Sequence, residues 1–159
     1  MIGPFSEVEE KTLETLEQAL IDNKILHVQM MKMYAEFLFS LISSEKIERD
    51  FGFSSELTVV AQCVQSAIHS FGTDASDELR RQRRVELIKL CSRVEKEQPA
   101  LAALARCAVC CVSDEEGWEP DLEEDSTPIP RYLFLLKKFD PNMGVIFLSY
   151  ARTALLEFR

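Results

Sequence analysis

The sequence predicts an all-α bundle of six to seven helices with a long acidic loop before the last helical pair. Three observations carry this. There are only five glycines and six prolines in 159 residues. Leu, Ala, Glu, Met and Arg dominate long uninterrupted stretches, as helix formers do. Apolar residues recur at three- and four-residue intervals, and no alternating run is bounded by hairpin turns. The chain reads as one helical domain over residues 1–159, large enough to bury roughly two-thirds of the surface its unfolded form exposes.

The first helix is predicted near residues 6–21. Ser6 and Glu9 have capping-box spacing, and Leu13, Leu16 and Leu20 follow in phase. Asp22-Asn23 interrupts what would otherwise be a helix of nearly forty residues, so a second helix is expected over about 24–44. That helix is apolar almost all round, from Met30 to Ile42, which places it at the centre of the bundle. Ser54 or Ser55 caps a third helix. Leu57, Val60, Val64, Ala67, Ile68 and Phe71 form its apolar face, and Gly72 stands where a left-handed terminating residue is wanted.

A fourth helix is expected from Asp74 or Ser76 to about Gln98. It packs through Leu87, Cys91 and Val94, with Val85, Ile88 and Leu90 widening the stripe. Pro99 suits the first turn of a fifth, PALAALARCAVCCV, whose small side chains point to close burial. The C-terminal part reads as helix, turn, helix, broken at Asp140-Pro141-Asn142.

Residues 113–130 are the most distinctive segment. They hold eight acids, three prolines, one glycine and no Lys or Arg. The chain has 27 acids and 18 bases, so without this segment 19 acids face 18 bases. The net charge of −9 is therefore local, and the segment is expected to stay disordered. Trp118, the only tryptophan, and Leu122 lie inside it as an apolar pair that a basic partner could anchor.

Function classes narrow by exclusion. No run of ~20 apolar residues offers a membrane span, and MIGPFSEVEEK is not a secretory signal. Five cysteines, three of them at 107, 110 and 111, do not resemble a secreted disulfide framework, so an intracellular site, cytoplasmic or nuclear, is expected. The net charge of −9 argues against nucleic acid. Cys107-x-x-Cys110 lacks a second ligand pair, and His27 and His69 stand alone, so no metal, cofactor or catalytic residue is expected.

The expected function is a non-catalytic protein–protein interaction domain, with a homodimer as one form. A hydrophobic-ligand carrier and a thiol-based redox protein are the alternatives. Expected partner-binding residues are Trp118 and Leu122, the basic run Arg80, Arg81, Arg83 and Arg84, and a C-terminal face. In that face Ile146, Tyr150 and Ala154 turn to the bundle, while Tyr132, Leu135, Leu136, Val145, Leu148 and Leu155 turn to a partner.

Phe139-Asp-Pro-Asn-Met-Gly-Val-Ile-Phe-Leu148 resembles the Asn-Trp-Gly-Arg signature that opens the central helix of the anti-apoptotic helical-bundle family. Ile68–Asp74 similarly resembles that family's death-motif helix. Met143 replaces the Trp, Val145 replaces the Arg, and Asp74 falls one place late, so the sequence is not assigned to that family.

Overall fold

Ser6 opens the first helix as its spacing predicts. Its hydroxyl accepts from the Glu9 amide at 3.1 Å, and its own amide donates to Glu9 Oε1 at 2.7 Å, closing a capping box. The computed structural model describes residues 5–44, 47, 55–70, 77–112 and 127–157. Among them the chain is all-helical: α1 (Glu7–Asp22), α2 (His27–Ile42), α3 (Ser55–Ser70), α4 (Asp77–Val94), α5 (Pro99–Val112), α6 (Ile129–Phe139) and α7 (Met143–Arg152). A π-helical turn, Thr153–Glu157, extends α7.

α1 ends at the expected interruption, by a device that normally uses glycine. Lys24 takes a left-handed backbone, φ 53°. Its amide bonds Ile21 O at 3.1 Å, and the Ile25 amide bonds Leu20 O at 3.0 Å. This is the double hydrogen bond of a Schellman motif, and the accompanying apolar contact is made by Leu20 and Ile25, both fully buried. α2 then starts with the Leu26 amide donating to Gln29 Oε1 at 2.8 Å.

α5 lies at the centre, in contact with α2, α3, α4 and α6. Four of its buried residues are alanines (Ala102, Ala103, Ala105 and Ala108), so neighbouring backbones approach closely. α2 is the second central helix, against α3, α5 and α7, and it buries Met30, Met31, Met33, Tyr34, Phe37 and Leu38 as predicted. An aromatic cluster joins α2 to the C-terminal pair. Tyr34 stacks on Tyr132 with ring centroids 4.0 Å apart and planes at 7°, and Phe147 sets its edge against Tyr34 and Phe37 at 5.7 and 5.2 Å.

α3 buries Leu57, Val60, Val64 and Ala67 as its rhythm predicts, while Phe71 and Gly72 lie outside the described residues. α4 departs from expectation. Leu87, Leu90, Cys91 and Val94 are buried, but Val85 and Ile88 are 44% and 49% exposed. One helix against α3 and α5 has room for a single stripe, so the widened face stays in solvent.

α7 departs further. The helix buries Met143, Gly144, Phe147, Leu148 and Ala151, and Leu155 of the π turn continues that stripe. Ile146, expected against the bundle, is 53% exposed, and Tyr150 and Ala154 are only partly covered. The true inward stripe is 143, 147, 151 and 155, joined by 144 and 148. Gly144 contributes to this phase. A Cβ there would overlap Glu9 Oε2 and stand 2.7 Å from its Cδ, so with any other residue at 144 the Glu9 carboxylate would have to leave its place between α1 and α7.

Glu9 thus has two roles. Besides capping α1, its Oε1 pairs with Lys137 Nζ of α6 at 2.6 Å, with both side chains largely buried. Burial acts to raise the Glu9 pKa. The Lys137 hydrogen bond, the Ser6 amide, the Lys137 charge and the Ser6 hydroxyl together hold it below its ordinary value of 4.5. A second carboxylate ties α1 to the start of α6: Glu17 Oε2 accepts from the Thr127 amide at 2.6 Å and from its hydroxyl at 2.9 Å.

Candidate functional site

With α7 in this phase, the sides of α1 and α7 that face away from the core form a trough. It has a volume of about 480 Å³ and is lined by Lys11, Thr12, Thr15, Leu16 and Ala19 from α1. Val145, Leu148, Ser149, Arg152 and Leu156 supply the other wall. Leu16 and Leu148 are buried and form the floor, while Val145, 61% exposed, stands on the rim. Val8 and Ile146 add apolar surface next to these elements, 67% and 53% exposed. The hydroxyls of Thr12 and Thr15 donate to Val8 O and Lys11 O at 2.9 and 3.0 Å, so their donors are already engaged within α1. The polar groups left to a ligand are the Ser149 hydroxyl and the two cations.

Among the described residues Lys11 and Arg152 are the only charged ones lining the trough, and neither has a described carboxylate within salt-bridge distance. The exposed acids of α1, Glu7, Glu10 and Glu14, do not line it. A chain of net charge −9 therefore has a positively charged groove with an apolar floor.

The structure redistributes the expected partner-binding face. Val145 is exposed and Leu148 lines the trough from below. Tyr132, Leu136, Leu148 and Leu155 are 2%, 0%, 1% and 5% exposed, so they belong to the core. Leu135 is half-buried. The assumed face failed because the helix is apolar on several sides, and spacing alone does not select the side that meets α1. Trp118 and Leu122 lie outside the described residues, as does the rest of the segment 113–126.

The basic run on α4 is partly neutralised along its own helix. Arg81 pairs with Glu78 and Arg83 with Glu86, each at 3.2 Å, while Arg80, Arg83 and Arg84 are half-buried. Exposed pairs of this kind contribute little to stability, ~0.3–0.5 kcal/mol.

The five cysteines are all free and buried. Burial pushes the Cys63 thiol up to about 11 and raises Cys91, Cys107 and Cys111, which opposes the thiolate that redox chemistry needs. Among the described residues no group of His, Cys, Asp or Glu has the arrangement of a metal site. The Tyr34 hydroxyl is buried beside the Cys107 thiol, and the Tyr132 hydroxyl is buried with no hydrogen-bond partner among the described residues. Burial raises both phenol pKa values.

Fold and site together define a helical bundle with a cationic, apolar-floored trough at its α1/α7 edge. Comparisons with protein-family models, with curated proteins and with solved structures each find no match. Among the described residues no helix is long and apolar enough to cross a membrane.

Proposed function

We propose that this chain is a non-catalytic protein–protein interaction domain that docks a partner on the α1/α7 edge. The observation that supports this reading most is the concentration of uncovered aliphatic side chains there. Val8 and Val145 are the two most exposed large hydrophobic residues of the chain's described part, and Ile146 follows them. Each aliphatic side chain left in water forgoes ~1.5–3 kcal/mol of burial, so a cluster beside a concave surface favours an interaction site over chance exposure. The hydrophobic-ligand carrier is less favoured because the trough is open, with Lys11, Thr12, Val145 and Arg152 all exposed along it. Thiol-redox chemistry is less favoured because burial raises the thiol pKa values.

The test is quantitative affinity capture from cells with the wild-type chain and with Val145→Glu and Ile146→Glu. Both residues are exposed, so the variants should melt within a few degrees of wild type and lose the captured partner. Undiminished capture by both folded variants would sink the reading. Leu136→Glu and Leu148→Glu serve as the contrast, since each places a charge in the core and is expected to unfold the chain.

A further inference from the structure

The chemistry of the trough also specifies its occupant, provided that the docking reading above holds. Its α1 wall runs from Lys11 to Ala19 and its α7 wall from Val145 to Leu156. At 1.5 Å per residue these walls are ~12–16 Å long, the length of two to three helical turns. An amphipathic helix laid in such a groove presents residues at i, i+4 and i+7 to the floor, and the apolar floor here is Leu16, Ala19, Leu148 and Leu156.

The cations are separated along this length. Glu9 sits against Gly144, so α1 and α7 begin side by side, with Lys11 near that end. Arg152 lies about two turns further along α7 than Val145. Two cations spaced along an open groove suit two carboxylates about two turns apart on one helix. A fatty acid has a single carboxylate and needs an enclosed tail site. A second copy seated trough to trough would set Lys11 and Arg152 against the same two cations. With both cations lacking carboxylate partners among the described residues, charge complementarity selects an acidic ligand.

We propose that the α1/α7 trough receives an amphipathic helix of a partner protein, with its apolar face against Val145, Ala19 and Leu156 above the buried Leu16 and Leu148, and its carboxylates on Lys11 and Arg152. Lys11 and Arg152 set the choice of partner, and the aliphatic surface supplies most of the affinity.

The probe is a synthetic amphipathic helical peptide with leucines at i, i+3, i+4 and i+7 and glutamates on both flanks, titrated against the full chain by fluorescence anisotropy at low salt. A matched peptide carries lysines in place of the glutamates. The wild type is expected to bind the glutamate peptide about tenfold more tightly than the lysine peptide, the scale of two partly exposed ion pairs replaced by repulsion. The Lys11→Glu/Arg152→Glu double variant should reverse that order, and Val145→Asn, which removes apolar surface without adding charge, should weaken both peptides. Circular dichroism and melting establish that each variant is folded.

Equal affinity for the two peptides, no saturable binding of the glutamate peptide, or an order unchanged by the double variant overturns the acidic-helix proposal. So does binding of oleate, but of neither peptide, that depends on Arg152, or a self-association that Val145→Glu dissolves. If both peptides bind equally and Val145→Asn weakens both, only the charge preference fails and the docking reading stands. If Val145→Asn changes no binding at all, the docking reading fails with it.

Discussion

Replacing Gly144 by alanine should destabilise this protein, although alanine is the better helix former by ~1 kcal/mol. The added Cβ would overlap Glu9 Oε2, so the carboxylate must swing away. Two interactions then go. One is the Ser6 amide contact at 2.7 Å, half of the α1 capping box, where loss of a cap costs ~0.5–2 kcal/mol. The other is the 2.6 Å pair with Lys137, which is largely buried. Removing one partner of a buried pair costs ~3–5 kcal/mol, and a displaced carboxylate near the surface regains part of that from water. Set against the helix gain, the net loss is ~1–4 kcal/mol, or a melting temperature lower by ~3–12 °C for a domain of this size.

The decisive assay is a double-mutant cycle by urea denaturation. With Glu9→Ala already in place the obstruction is gone, and Gly144→Ala should become neutral or stabilising by up to ~1 kcal/mol. An equal effect of Gly144→Ala in both backgrounds, or a more stable Gly144→Ala single variant, would refute the claim that Glu9 excludes a side chain at 144.

Three further outcomes are expected. The Glu9 pKa is lower in the folded chain than its ordinary 4.5, so its stabilising contribution is fully present above that value and is lost as pH falls through the lower folded value. Urea unfolding of the wild type and Glu9→Gln from pH 7 to pH 3 should show the difference in stability between them shrinking toward the acid end, and a constant difference would contradict the pairing. Lys24→Gly removes a side chain from a left-handed backbone and should raise stability by ~0.5–1 kcal/mol, whereas a drop in chemical denaturation would show that Lys24 does not hold that conformation. All five buried thiols should resist a thiol reagent in the native state and react together in denaturant, and fast native labelling of Cys107 or Cys111 would contradict their burial.

Much of the fold was legible because it is written locally. Ser6 and Glu9 announce the α1 cap, Pro99 opens α5, and Leu57, Val60, Val64 and Ala67 draw the α3 face at helical spacing. α1 ends at Asp22-Asn23 as the sequence predicts, but its left-handed residue is a lysine, and no local signal distinguishes Lys24 from an exposed helical lysine. The phase of α7 was not legible, since residues 143–158 are apolar on several sides. It depends on contacts with distant elements, among them Phe147 with Tyr34 and Phe37 and Gly144 with Glu9, each more than a hundred residues away in the chain. The trough was missed for the same reason. Lys11 and Arg152 look like ordinary surface cations until α1 and α7 are laid together, and a lone glycine near a helix start was the only available hint.

The most direct measurement is site-specific photo-crosslinking in cells, with a photoreactive side chain at Ser149 in the trough and, as the comparison, at exposed Ser92 on α4. Sequencing of the adducts should find a protein helix with acidic flanks joined at Ser149, absent at Ser92 and absent when Val145→Glu is added. Adducts only at Ser92, or adducts at Ser149 that persist with Val145→Glu, would contradict a partner docked between α1 and α7.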